Sequence, residues 1–480
     1  MKGIVVTIVI IYLLAMLGIG FWSSKKIKSN EDFMVAGRRL GPLLMAGTLA
    51  ATEIGGGSSL GVVEKAFGEW GISASWYVIT MGIAFVILSF ISHKFRASEV
   101  KTVPEYFRRR YGKSTGLITS IIMILPLIGL TASQFIASST IVSVMMGLDY
   151  KVAVTIVAVV VTIYSIMGGL WSVTLTDFVQ VFLIIIGMAL TIPFSLKFAG
   201  GMENVVANVP AETFDMFKGI SPSTIISLVI MYIASFTVGQ EAVSRYYAAR
   251  DGKAAVQGSI IAAIINFIYA FIPTILGIIT LALVNMGKID SNVILADGAN
   301  YALPHLAMNT MPAIIVGFLF AGIISATMSS ADSDLLGAGS IFGNDIYKIY
   351  IKPDASSDDV MKVTKITMLV VGVFGWIVAV TGTSSIIDIL MFSFTLRAAG
   401  TFFPYVFGLY WKRASKEGTI ASLILGSVVV ILLERTDLSF FGLQPILPGL
   451  LVSLISFVVI TLLFPSKRNS TELVPEEGVK

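Results

Sequence analysis

Cysteine is absent from the 480 residues, which excludes disulfides, thiol nucleophiles and thiolate metal sites. Histidine is almost absent: His93 and His305 lie in separate loops, so no imidazole metal site is indicated. Charge is scarce too. Asp, Glu, Lys and Arg make up 13% of the chain against 56% hydrophobic residues, and mean hydropathy is +0.88. A soluble domain of this size does not need that balance. The net charge of +4 and pI near 9.0 do not point to a nucleic-acid partner here, because in a membrane protein Lys and Arg mark cytoplasmic loops. No low-complexity segment and no second, soluble domain interrupts the pattern. No nucleophile–base pair or metal cluster suggests an enzyme.

What is present is a succession of apolar runs of about 20 residues, the length that crosses about 30 Å of hydrocarbon. The first, 3–22, is too long for a signal-peptide core and lacks a small-residue cleavage site, so it reads as a retained helix. Further candidate helices cover 40–67 (broken), 71–93, 114–146, 150–168, 174–199, 221–249, 254–286, 311–345, 359–383, 384–410, 418–436 and 441–465. Only Thr-Gly-Thr marks the boundary at 383/384. With 23–39 placed in the cytoplasm and sides alternating, seven of the 33 Lys and Arg fall outside (Lys2, Lys65, Lys151, Lys197, Lys218, Lys288, Arg435). Arg397 falls inside a helix and the rest are cytoplasmic. That asymmetry predicts thirteen helices, N-terminus outside and C-terminus inside. Loop 94–113 is expected at the headgroup surface, loop 287–310 to hold a short helix ending at Pro304, and tail 466–480 to be disordered.

Residues 45–64 carry the strongest single signal. Glu53 stands just before Gly55-Gly56-Gly57 inside an apolar helix, and glycine costs about 1 kcal/mol in a helix interior. A break at membrane depth leaves backbone groups unpaired, which hydrocarbon does not tolerate unless they line a cavity or hold a ligand. Helix 221–249 carries Phe-Thr-Val-Gly-Gln-Glu-Ala (236–242) near its middle. The two breaks lie five helices apart, the spacing of two inverted five-helix repeats with a binding site between them. Ionisable groups at this depth are functional candidates. At about 1.5 Å per residue, Glu53 and Arg397 reach similar depths near the midplane. They could neutralise one another or hold the two ends of a zwitterion. A structural ion pair with no substrate role is the competing reading. Gln240 falls near the middle and Gln134 somewhat above it.

A second constellation is Ala326-Thr-Met-Ser-Ser-Ala-Asp-Ser-Asp334. Ser329, Asp332 and Ser333 share one helix face, and hydroxyl and carboxylate oxygens in a dry bundle suit a hard cation such as sodium. Asp177 lies at a comparable depth. Serines that only pack helices are the bland alternative. Glu241 and Arg245, four residues apart, are expected to pair on their own helix, and Asp334 to be solvated.

Gly-Arg-Arg-Leu-Gly-Pro (37–42), Tyr-Ser-Ile-Met-Gly-Gly-Leu (164–170), Thr-Asp-Phe-Val-Gln (176–180) and Met-Ser-Ser-Ala-Asp-Ser (328–333) resemble the sodium:solute symporter family along essentially the whole chain. The resemblance implies an all-α polytopic membrane protein with a five-plus-five inverted-repeat (LeuT-type) core. The chain then divides into an extra helix and loop (1–39), two repeats (40–199 and 200–410), two further helices (411–465) and a tail (466–480). It implies sodium-coupled import of a small organic solute by alternating access, in the cell membrane, by a monomer. By family match, sodium is held by the carbonyls of Ala51, Ile54 and Ala326 and the hydroxyls of Ser329 and Ser330. A second cation site would use Asp177, Asp332 and Ser333. There Asp332 is a carboxylate where the family has a hydroxyl, which leaves sodium, a proton or a structural role open. Glu53, Gly55, Ser58, Gln134, Phe236 and Gln240 fall near family substrate positions, joined by Arg397. Glu53 alone favours an organic cation, Glu53 with Arg397 an amino acid, and Arg397 alone a carboxylate. A proton-coupled symporter and a channel or sensor of the same fold are the alternatives, and the short tail argues against a sensor.

Overall fold

The computed structural model describes residues 2–24, 34–167, 170–292, 294, 298–382, 385–436, 443–468 and 470–475. Among these no strand forms; Leu40 and Ala249 make one isolated backbone bridge. The helices are, in order, α1 (Lys2–Ser24), α2 (Pro42–Glu53), α3 (Val62–Phe67), α4 (Ser75–Ser89), α5 (Ser92–Ala97), α6 (Val103–Tyr111), α7 (Lys113–Met146), α8 (Tyr150–Met167), α9 (Leu170–Ala199) and α10 (Met202–Ala207). There follow α11 (Pro222–Val238), α12 (Gln240–Ala248), α13 (Gly252–Tyr269), α14 (Phe271–Asn285), α15 (Ala302–Thr310), α16 (Ala313–Ser340), α17 (Ser357–Thr381), α18 (Ile386–Gly408), α19 (Lys416–Thr436) and α20 (Ile446–Leu463). Ten described helical segments are long and apolar enough to cross a membrane, or eleven when α11 and α12 count as one span bent by 55°. The apolar stretch Lys2–Met16 of α1 is shorter than such a span, and the helix over 42–67 is broken. The 383/384 boundary lies outside the described residues, between α17 and α18.

Lipid-facing surfaces follow from sequence. Ile156, Val160 and Ile163 on α8 and Ile366, Val370, Val373 and Ile377 on α17 are exposed, an apolar belt that water would not tolerate. α16 lies at the centre, buried without interruption from Leu319 to Ser340 and packed on α1, α7, α9 and α17. Small residues allow the approach. A Cβ on Gly187 of α9 would meet the Leu319 backbone at 3.3 Å, and one on Gly322 the Ile184 backbone at 3.3 Å. Close backbone approach through glycine is the usual packing device between membrane helices.

Three connections depart from the sequence expectations. In loop 94–113, expected as a surface segment, α6 is buried against the rest of the protein. Arg110, 5% exposed, donates to the carbonyls of Gly408 (3.1 Å), Trp411 (2.9 Å) and Lys412 (3.2 Å). These are terminal carbonyls of α18 and the turn beyond, which a guanidinium fork satisfies better than solvent. The described tail is ordered against this helix: Val474 N–H donates to Arg109 O at 3.1 Å, and Arg109 Nε donates to Val474 O at 2.9 Å. Pro304 sits in the first turn of α15 rather than at its end, where its missing N–H costs nothing.

Candidate binding site at the helix breaks

The first break forms where the glycines put it. α2 stops at Glu53, and Ile54 (φ −82°, ψ 69°) caps it with its N–H on Ala50 O. A π-helical turn, Gly57–Gly61, then leads into α3. The glycines are there for space. A Cβ on Gly55 would stand 2.6 Å from Ser330 Oγ, on Gly56 2.4 Å from Ala137 Cβ, and on Gly57 2.2 Å from Leu390 Cδ1. Three helices (α16, α7 and α18) therefore close directly on the broken backbone. Its freed groups find partners there: Gly56 N–H donates to Gln134 Oε1 at 2.9 Å, and Ser58 Oγ donates to Glu53 O at 2.8 Å. Ser330 Oγ reaches Thr52 O at 3.1 Å, Ala51 O at 3.5 Å and Ala326 O at 3.2 Å.

The second break is at Gly239 (φ −67°, ψ 117°) between α11 and α12. A Cβ there would meet Arg397 Nη2 and Glu241 Oε1, both at 2.7 Å. The glycine thus admits a guanidinium to the break. Arg397 Nη1 lies 2.5 Å from Glu241 Oε1, with 1% and 3% of the two side chains exposed. Arg397 Nε donates to Ser235 Oγ at 2.6 Å, and its guanidinium carbon lies 4.8 Å from the Phe394 ring centre.

Between the breaks lies a cavity of about 20 Å³ lined by Glu53, Ser58, Tyr77, Met81, Leu130, Gln134, Glu241, Ser330, Asp334, Leu390 and Phe394, with Thr52 and Gly57. That volume holds about one water. Oε1 of Glu53 has no hydrogen-bond partner.

The expected substrate residues thus separate. Glu53, Ser58 and Gln134 line the cavity, and Gly55 underlies it. Arg397 does not pair with Glu53; it pairs with Glu241, behind Phe394. Gln240 is used elsewhere, accepting from Val103 N–H at 2.9 Å and donating to Lys101 O at 3.1 Å. Phe236 stands one layer back, stacked on Phe85 at 5.2 Å and edge-on to Phe394 at 6.0 Å. Asp334 is not solvated: it is 3% exposed and lines the cavity. Its i+4 relation to Ser330 was the signal that could have placed it there. Nothing in the sequence marks Tyr77 or Leu390.

The expected second cation residues also separate. Ser329 Oγ donates to Asp177 Oδ1, and Thr48 Oγ1 donates to Asp177 Oδ2. Arg245 fills the space beside them. Its Nη2 lies 3.4 Å from Asp177 Oδ2 and 2.6 Å from Ser333 Oγ, and its Nη1 donates to Glu241 O at 2.5 Å. The expected Glu241–Arg245 side-chain pair is therefore absent; only the Glu241 main chain serves Arg245. Asp332 takes a hydrogen bond from Ser165 instead. No cluster of three His, Asp or Glu with metal-binding geometry occurs among the described residues.

A model of the sodium:solute symporter family matches residues 33–426. The chain belongs to that family. The osmoregulated proline transporter OpuE of Bacillus subtilis is 26% identical over 467 residues, covering 94% of this chain and 93% of its own. The sodium/proline symporter of Escherichia coli is 26% identical over 94% of this chain and 92% of its own. The sodium/pantothenate symporter of Haemophilus influenzae is 26% identical, covering 97% of both. Among solved structures, a Na+-coupled sialic acid symporter in a substrate-bound, outward-open state superposes with a TM-score of 0.81 at 23% identity, over 97% of this chain and 99% of the other. The transporter MhsT, solved with L-phenylalanine, gives 0.56 at 12% identity over 88% of this chain and 98% of the other. At such identities these two establish the fold.

Proposed function

We propose that this chain is a sodium-coupled symporter that imports a small organic solute across the cell membrane by alternating access. The observation that carries the reading is Ser330, whose hydroxyl stands within hydrogen-bond reach of the carbonyls freed at the first break. A sodium ion held by Ser329, Ser330 and the carbonyls of Ala51, Ile54 and Ala326 would tie α16 to the broken helix. Ser329 would turn from Asp177 to take part. The similarity to sodium/proline and sodium/pantothenate symporters supports the coupling ion.

Thirteen spans with the N-terminus outside and the C-terminus inside fit this reading, as does the division into two inverted repeats over 40–199 and 200–410. The charge asymmetry of the loops supports that orientation. On the side it assigns outside, a cavity of about 550 Å³ is lined by Glu64, Asp149, Tyr150, Asn300 and Ser385, among others. Glu64 of α3 and Gly57 are seven residues apart, about 10 Å along one helical path. A small shift of α3 would join the two cavities. On the opposite side Gln240, Arg110 and the Tyr247–Tyr405 hydroxyl pair at 2.9 Å close the path inward. Ion binding would stabilise the outward-open state, and release into low cytosolic sodium would reset it. The membrane potential contributes about 2.3 kcal/mol per charge per 100 mV. The chain would act as a monomer, with no resident cofactor and no enzymatic activity.

The test is uptake into proteoliposomes under an inward sodium gradient by wild type and by Ser329→Ala with Ser330→Ala. Loss of sodium-dependent uptake is expected; unchanged uptake sinks the proposal. Proton coupling through Glu53 is the second reading, favoured by its unpartnered Oε1. It is separated by replacing sodium with potassium under an imposed pH gradient.

A further inference from the structure

Resting on the symporter reading above, we infer that the solute is a small organic cation with an ammonium head group, bound between Glu53, Glu241 and Asp334. Buried in α2, α9, α12, α16 and α18 are five carboxylates (Glu53, Asp177, Glu241, Asp332, Asp334) and two guanidiniums (Arg245, Arg397). Arg245 answers Asp177 at 3.4 Å and Arg397 answers Glu241 at 2.5 Å. Three of the five acids line the one small cavity, and no basic side chain lines it.

Glu53 supplies the independent pointer to a ligand. It is 7% exposed, belongs to the cavity wall, and its Oε1 has no partner. An ionised carboxylate is not held in a dry interior without a compensating charge. One sodium at the adjacent break supplies a single positive charge. A second is still required, and under sodium symport without proton coupling it arrives with the solute.

A zwitterion such as an amino acid brings no net charge and adds a carboxylate of its own. The nearest guanidinium, Arg397, is engaged by Glu241 and by Ser235 and stands behind Phe394, so that carboxylate would have to break a buried ion pair to be received. A free carboxylate ligand fares worse against three acids. An ammonium group meets none of these costs. The other walls combine the neutral polar groups of Thr52, Ser58, Gln134 and Ser330 with Met81, Leu130, Leu390, Tyr77 and Phe394, apolar surface with two aromatic rings that attract cations.

The experiment measures thermal unfolding of the purified full-length protein, in sodium and in potassium, with choline, ethanolamine, L-proline and acetate. The expected result is sodium-dependent stabilisation by choline or ethanolamine at concentrations at least about ten-fold below those needed for L-proline. Glu53→Gln and Asp334→Asn should each raise the amine concentration required by about ten-fold, the equivalent of about 1.4 kcal/mol. Stronger sodium-dependent stabilisation by L-proline or acetate overturns the cation assignment and leaves sodium symport standing. Amine stabilisation equal in sodium and potassium removes the symport reading instead. Amines that leave unfolding unmoved in sodium, or that act on both variants at the same concentration as on the wild type, overturn the assignment of the site.

Discussion

The pairing of Arg397 with Glu241 can be tested on stability alone. Both side chains are at most 3% exposed and their charged atoms lie 2.5 Å apart. At an effective dielectric of 20, opposite charges even 4 Å apart attract by about 4 kcal/mol, against a desolvation cost of similar size. The net value of such a pair is therefore small, but the cost of leaving one member alone is not. Removing one partner of a buried pair costs about 3–5 kcal/mol. Glu241→Gln strands the guanidinium with only the Ser235 hydroxyl as partner. Arg397→Gln leaves Glu241 facing Glu53 and Asp334 across the same cavity. The double variant Glu241→Gln/Arg397→Gln removes both charges. It should cost less than either single change, giving a coupling of about 2 kcal/mol or more in the double-mutant cycle. Unfolding in mixed detergent micelles, followed through the six tryptophans, reports it. Two single variants each costing under about 1 kcal/mol, or costs that simply add in the double variant, would refute the reasoning.

Other expectations follow from contacts already described. Gly57→Ala puts a methyl 2.2 Å from Leu390 Cδ1 and should cost about 1–3 kcal/mol by overpacking; Leu390→Val should recover part of it in the same unfolding assay. Gln240→Ala leaves the buried Val103 N–H without its acceptor, a loss of about 1–3 kcal/mol. It should appear as faster hydrogen exchange at Val103, and unchanged exchange would contradict the assignment of Gln240 to the 101–103 segment. Asp251, in the exposed turn before α13, is held below its ordinary value of 3.8 chiefly by the Ala254 amide, with Arg250 adding to it. A depressed carboxyl stabilises the fold above its unfolded value and loses that contribution as pH falls through the folded one. Asp251→Asn should therefore flatten the acid side of the melting-temperature profile below about pH 4.

Hydropathy was enough to mark the long apolar helices, and the glycine run was enough to place the first break within a residue or two. The partners of the buried charges were not legible, and the reason is geometric. Counting residues along a span gives depth at about 1.5 Å per residue; it does not give direction around the bundle. Counting puts Glu53 and Arg397 at one depth, yet Arg397 pairs with Glu241 and lies against Phe394, two residues of the cavity wall that Glu53 also lines. The second break compounds this. Gly239 at ψ 117° resets the helical phase, so the face shown by Gln240 and Glu241 cannot be carried over from α11. Gln240, expected in the cavity, turns to Val103 and Lys101. Glu241, expected to serve Arg245, turns to the cavity and Arg397. Arg245 is thereby released to Asp177, Thr48 and Ser333, where the sequence had suggested a second cation.

One local event, the dihedral angles of a single glycine, thus bears on two ion pairs, Arg397–Glu241 and Arg245–Asp177, and on the hydrogen bonds of Gln240. It also bears directly on the solute. With Arg397 available to the cavity, the three sequence readings of cation, zwitterion and carboxylate stood level. With Arg397 held by Glu241 and Ser235, the cavity wall keeps its acids and loses its base. A carboxylate-bearing solute would then have to unmake the pair on each cycle, at a cost comparable to that of either single variant above. The same double-mutant cycle therefore measures how strongly the site rejects an amino acid: the larger the coupling between positions 241 and 397, the more firmly the cavity selects a cation.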